Sequence, residues 1–411
     1  LQDALKLARK NSPVFQAAMT DFALAHEDKV QSRATILPNV NFTTQAIYSE
    51  PTSISKTQSR FIAGNAVHEY VSQGNVHQVL SLDGYAVFRR AQAAEAVARA
   101  RSEIAARGLV LTVVQSYYGF VIAQRKYATA QKLGAEGERF LSISQKLEHG
   151  GEVAHADVIK AQLQFNQQSR DLKEAQLAMD RARLDLAVLI FKDFNQNFSA
   201  VDDLQSLEPL PSLEEVRTAA GLKNPDLRVA LSSLDVAKND VSAAWGGLLP
   251  SVSLDYFYGI DATHYATKST ILDTSGNPVR VNNLGYSTSA TLQFPIWNWG
   301  AGVSKLKQAH LRRTQAQVEL SFTQRQLLAN LQTFYDEART SRAELELLGQ
   351  SAELAAESLR LTTLRYQAGE ATVLEVVDAQ NTLALSRNAY DDGQARYRTA
   401  LANLQTLTGT L

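Results

Sequence analysis

The 411-residue chain contains no cysteine, which excludes disulfide frameworks, thiolate metal sites and a cysteine nucleophile. Neither charge is in excess: 41 Lys plus Arg stand against 42 Asp plus Glu, for a net charge of −1. Phosphate neutralisation needs a clustered basic surplus, so no nucleic-acid partner is expected. Long hydrophobic runs are missing too. The longest are of the order of LAVLIF at 186–191, whereas a membrane helix needs roughly 20 apolar residues; no spanning helix is expected. G-x-S-x-G, H-E-x-x-H and G-x-x-x-x-G-K-[ST] patterns are absent, so an enzyme is not expected, nor a cofactor. The seven histidines are scattered. His149 and His155 flank a glycine pair without a third ligand at metal spacing, and read as solvated surface. The opening residues, LQDALKLARKNSP, already pattern as an amphipathic helix, so the chain is read as mature or trimmed.

What is present is a duplication. GEVAHADVIKAQ at 151–162 and GEATVLEVVDAQ at 369–380 share Gly, Glu, an acid, Val and the closing Ala-Gln, 218 positions apart. KNSPVFQAA at 10–18 matches LKNPDLRVA at 222–230, and ILPNVNF at 36–42 matches LLPSVSL at 248–254, both 212 apart. The period is that of a whole structural unit rather than a solenoid repeat. The first repeat, 1–205, is expected to hold a helix, strands about 38–50 and 69–82, and long helices about 85–148 and 152–193. The second, 206–411, is expected to hold a helix, strands about 250–261 and 285–296, and long helices about 301–367 and 371–408.

The strands alternate. VSLDYFYGI puts Val252, Leu254, Tyr256, Tyr258 and Ile260 on one face and Ser251, Ser253, Asp255, Phe257 and Gly259 on the other. YSTSATLQFPI repeats this, with Tyr286, Ala290, Leu292, Phe294 and Ile296 opposite Ser287, Ser289, Thr291 and Gln293. The first repeat carries a weaker copy: Val40, Phe42 and Tyr48, then Tyr70, Val76, Leu80 and Leu82. An aromatic and apolar face backed by a small polar one, over about ten residues, is the pattern of membrane-barrel strands. The strands are joined by polar loops at 51–66 and 262–283, and Trp297 and Trp299 stand where interface anchors would. A soluble sandwich gives the same alternation, but nothing flanking these strands supplies a second sheet.

From about 302 to 367 the chain has no proline and no turn cluster, enough for about 100 Å of helix. The helix after each glycine motif carries a seam at period 3.5: Val376, Leu383, Tyr390, Tyr397 and Leu404, matched by Val158, Phe165, Leu172, Met179 and Leu186. Such seams specify supercoiled pairs. Four strands cannot close, and an open edge facing lipid costs several kcal/mol per unpaired amide. Two chains would give eight strands with a filled interior; three give twelve, with room for a polar lumen. A homotrimer is therefore expected.

The doubled helix–hairpin–helix–helix unit, the G-E-x-T-x-x-E-V-x-x-A-Q stretch preceded by Tyr366, and the paired Leu-Pro turns at 37–40 and 249–252 together resemble the TolC-like outer-membrane efflux proteins. The resemblance covers essentially the whole chain. It implies a mainly α fold with a β-barrel part: a twelve-stranded outer-membrane β-barrel continuous with a twelve-helix periplasmic α-barrel. It also implies a passive exit duct in the bacterial outer membrane, in contact with its lipid and extending into the periplasm. A periplasmic adaptor and an inner-membrane transporter would complete a tripartite efflux pump. Type I protein secretion is the alternative within transport, and a soluble coiled-coil scaffold the alternative outside it.

The glycine motifs read as helix reversals, since Gly151 and Gly369 accept a positive φ. Thr372 and Glu375 form a T-x-x-E capping box; the first copy has Ala154 instead and relies on acids such as Asp157 near its helix start. By resemblance, Asp157, Glu375 and Asp378 line a periplasmic gate latched by Tyr366. Ala371 departs from the family's pattern, where many members place an arginine, so the gate is expected to be held loosely or by Lys160, which stands opposite Asp378 in the duplication. The tips at Gly150, Gly151, Gly369 and Glu370 are the implied docking surface for the adaptor.

Overall fold

A computed structural model describes residues 1–49, 68–206 and 208–409. The polar loop expected at 51–66 lies outside the described residues. The chain divides into two compact units, and each draws on both sequence repeats: Leu1–Asp21, Arg99–Val229 and Ser321–Leu411 form one, Phe22–Ala98 and Ala230–Leu320 the other. Folding thus interleaves the two sequence halves rather than separating them.

Each repeat opens with a short helix, then a longer one that begins on proline. These are α1 (Gln2–Asn11) and α2 (Pro13–Ala34), then α5 (Leu213–Lys223) and α6 (Pro225–Gly246). Proline is tolerated at a first helical position, where its missing N–H has no partner to lose. The residue before it caps the new helix: Ser12 Oγ accepts from Phe15 N at 3.3 Å and Asn224 Oδ1 from Leu227 N at 3.0 Å.

Beyond α2 and α6 come the strands β1 (Asn39–Tyr48), β2 (His68–Leu80), β3 (Ser251–Ala262) and β6 (Leu284–Gln293). They form one antiparallel sheet in the order β1-β2-β3-β6. Because side chains alternate, the register decides the faces. Phe42 pairs with Gly74, Gly74 with Tyr258, and Tyr258 with Tyr286; that row belongs to the apolar face. The next row, Asn41, Asn75, Phe257 and Ser287, belongs to the other. The apolar face is uncovered: Val40, Phe42 and Tyr286 are each more than two-thirds exposed. On the polar face His77 Nδ1 lies 2.7 Å from Asp255 Oδ1. Leu82 starts a helix, and Phe294 and Ile296 lie past the end of β6, so these three are not strand residues. Nor is 262–283 only a loop: β4 (Lys268–Leu272) and β5 (Pro278–Asn282) make a separate hairpin there, turned by Asp273, whose carboxylate accepts from Ser275 N and Asn277 N.

The long helices are α3 (Leu82–His149), α4 (His155–Ile190), α7 (Ala301–Gln367) and α8 (Val373–Thr408). By length and composition alone α3 is apolar enough in part to cross a membrane. Its Val110, Val113, Tyr117, Phe120 and Val121 are instead buried against α1, α4 and Leu204, which makes it core. The heptad seam of α8 turns inward, with Val376, Tyr397 and Leu404 almost fully buried. The short helices sit alike in both repeats, α1 against α3 and α4, α5 against α7 and α8. Asn11 Nδ2 donates to the last carbonyl of α4, Ile190 O, at 2.7 Å, and Arg107 reaches Thr406 O and Lys223 O near the ends of α8 and α5.

Candidate functional site: two helix-turn-helix tips

Both reversals use one backbone solution. After α3, Gly151 N donates to Glu148 O and Glu152 N to Leu147 O, each at 2.9 Å; after α7, Gly369 N donates to Tyr366 O at 3.1 Å and Glu370 N to Arg365 O at 2.9 Å. This is the six-to-one closure of a helix on a left-handed residue. The glycines supply it with φ of 77° and 75°, and no side chain or backbone crowds either one. Gly150, Gly151, Gly369 and Glu370 are all exposed.

The side chains holding the turns differ. Thr372 Oγ1 accepts from Glu375 N at 3.3 Å while Glu375 Oε1 accepts from Thr372 N at 3.0 Å, satisfying two orphan amides at once. Those hydrogen bonds to Thr372, and more weakly the nearby Arg365 charge, hold the Glu375 carboxyl below the usual carboxylate range. At the first tip Ala154 makes no side-chain cap. There His155 Nδ1 lies 2.6 Å from Glu148 Oε1, bridging the end of α3 to the start of α4.

Tyr366 is buried, its ring 5.1 Å from that of Phe140 and its hydroxyl 3.0 Å from Ser144 Oγ. Val158, Ala161, Val373 and Val376 complete the cluster. Burial first, then the Asp157 charge, push the tyrosine hydroxyl's pKa up, against the Ser144 hydrogen bond. Among the expected gate residues, the structure brings Asp157 to Lys160, 3.3 Å away on the same helix face. It does not bring Lys160 to Asp378, which is exposed and has no hydrogen-bonded or ion-paired partner among the described residues.

Sequence reasoning missed Arg365. From the last turn of α7 it donates to Glu370 O at 2.9 Å and to Glu375 Oε2 at 3.4 Å. A cation in a helix's last turn is a legible signal, and this one ties the turn despite Ala371. Also missed was a buried amide lattice between α4 and α8: Gln168 donates to Gln380 at 2.9 Å and Gln164 to Asn381 at 3.1 Å. A third omission is the strap after α4. Arg125 grips Asp202 and Asp391, Tyr117 pairs with both polar backbone groups of Val201, and Arg398 reaches Glu208 and the carbonyls of Asp203 and Ser206.

The chain has relatives among known proteins in both sequence and fold. The family profile described as Outer membrane efflux protein matches residues 217–410. The chain is 25% identical to outer membrane protein TolC of Vibrio cholerae over 425 residues, covering 100% of this chain and 91% of that protein. It is 22% identical to the alkaline protease secretion protein AprF of Pseudomonas aeruginosa, covering 100% and 84%. Among solved structures, the outer membrane protein VceC of Vibrio cholerae superposes with a TM-score of 0.81 at 19% identity, covering 99% of this chain and 95% of that one. The CmeC outer membrane channel of Campylobacter jejuni gives 0.82 at 16%, covering 99% and 85%.

Proposed function

This chain belongs to the TolC-like outer-membrane efflux proteins, and from that premise we propose that it is the exit duct of a tripartite efflux pump. It resides in the bacterial outer membrane, reaches into the periplasm and conducts passively.

The observation carrying this reading is the sheet. Among the described residues its four strands end on two unpaired edges, β1 and β6. These run in opposite directions, as antiparallel joining of β6 to the β1 of another copy requires. Three copies would close twelve strands, with the apolar face toward lipid and the Ser, Thr, Asn and Gln face lining a lumen. Trp297 and Trp299, whose rings meet edge to face at 5.9 Å and are largely exposed, suit the headgroup level. The paired long helices of three copies would supply a twelve-helix α-barrel, whose tips Gly150, Gly151, Gly369 and Glu370 dock a periplasmic adaptor. An inner-membrane transporter supplies the energy.

At the entrance the three acids divide their labour. Asp157 is balanced by Lys160 and Glu375 is occupied by its cap and Arg365. Asp378 is the carboxylate left to face the pore, and three copies around an axis would favour cations. Tyr366 holds the tip helices together from inside.

The test is extraction followed by single-channel recording. A detergent-dependent trimer whose cation preference falls in Asp378→Ala is expected. A stable monomer soluble without detergent would return the chain to the scaffold reading; unchanged selectivity would remove Asp378 alone from the gate. AprF and PrtF are named for protease secretion, which favours type I secretion as the second reading. Co-purification of the inner-membrane transporter separates the two.

A further inference from the structure

Between α3, α7 and α8 lies a cavity of about 730 Å³, inside the range of about 300–1,000 Å³ typical of small-molecule sites. Its lining includes Leu133, Leu359 and Leu383, with a basic surplus around them. Three of its five cations are already neutralised: Arg125 by Asp202 and Asp391, Arg139 by Glu136 at 3.2 Å, and Arg360 by Glu357 at 2.7 Å. The other two, Lys132 and Arg387, have no hydrogen-bonded or ion-paired partner among the described residues. Asp391, which feels the Arg387 charge, is held by Arg125 at 3.0 Å. An apolar floor with two cations free of a direct partner, in a lining whose cations outnumber its carboxylates, asks for a ligand that is apolar along its body and negative at one end.

We propose that this cavity binds an anionic amphiphile, its acid head on Lys132 and Arg387 and its apolar body along Leu133, Leu359 and Leu383. Both cations are long, exposed side chains on the cavity's lining, so each can turn toward a bound carboxylate without disturbing the helices. Head recognition is then mainly Coulombic and weakens with salt, while the tail contributes in proportion to the apolar area it covers. Binding here is separate from the tips and from the sheet, and does not depend on the duct reading.

Calorimetric titration of the purified protein, transferred from detergent into a non-ionic amphipol, tests this with dodecanoate below its micellar concentration and with its uncharged methyl ester. Saturable binding of one dodecanoate per protomer is expected, weakened about tenfold in Lys132→Gln/Arg387→Gln, as two solvent-exposed ion pairs would give. The methyl ester should bind no better to the wild type than to that variant. Equal affinity of dodecanoate for both proteins, or of ester and acid for the wild type, overturns the proposal as non-specific partition. So does the absence of saturable binding. Because the chain has no cysteine, Thr363→Cys adds a single thiol on the cavity wall. Its protection from a water-soluble maleimide by dodecanoate supports the site. Protection without any ligand would show that protein already covers it, and would equally overturn the proposal.

Discussion

The two helical tips are one backbone built with two sets of side chains. Both close on a glycine in the left-handed region with the same six-to-one hydrogen bond. Yet the second tip has a reciprocal threonine–glutamate cap, an arginine across the turn and a buried tyrosine, while the first has an uncapped helix start and an exposed histidine–glutamate bridge. The sharpest contrast is one pair of positions. Tyr366 lies in the core, and its counterpart 218 residues earlier is the surface acid Glu148. Duplication preserves what the main chain needs at a reversal. It leaves the side chains free to diverge wherever each tip meets different neighbours.

The largest way to break the comparison is at that pair. Tyr366→Ala empties a packed site beside Phe140 and should cost about 3–5 kcal/mol, whereas Glu148→Ala removes an exposed bridge and should cost no more than about 1 kcal/mol. Thermal unfolding of the detergent-solubilised protein compares them, and equal shifts would mean that Tyr366 is not structural. The glycines should be alike. Gly151→Ala and Gly369→Ala each force a Cβ into the left-handed region at about 1–2 kcal/mol, read as faster amide exchange in the adjoining helix ends. If only Gly369→Ala abolishes transport while leaving trimers intact, the second tip carries the docking. A smaller effect follows from the caps: Thr372→Ala should lose about 1 kcal/mol, and Ala154→Thr should return up to as much to the first tip by offering Asp157 N an acceptor.

The smallest effect concerns pH. The Glu375 carboxyl is held below its ordinary value of 4.5 in the folded protein. Its contribution is therefore complete above that value and fades as pH falls through the lowered one. Protection factors at the start of α8, corrected for the intrinsic exchange rate at each pH, should fall below about pH 4.5 in the wild type, and should depend less on pH in Glu375→Gln. The first tip has no such cap to lose.

Much of this was written locally. Prolines 13, 38, 225 and 250, the alternation in β3 and β6, and the glycines of the tips each act within a few residues, and alternation or positive φ can be read along the chain. The hairpin at 268–282 escaped notice because short polar strands have no buried face to pattern them. Other features had no local trace. That Tyr366 would turn inward to Ser144 and that Gln168 would meet Gln380 both depend on which helix lies alongside.

By itself the sequence determined the duplicated unit, the two faces of the sheet and the sites of reversal, because backbone sterics and the periods of helix and strand are short-range constraints. Only the tertiary structure decided that the two halves interleave into units which each borrow from both, and that Tyr366 meets Ser144, Gln168 meets Gln380 and Arg125 meets Asp391. Those outcomes depend on distances between residues some 200 positions apart in the chain, where the energy of a contact belongs to the pair and to neither residue alone.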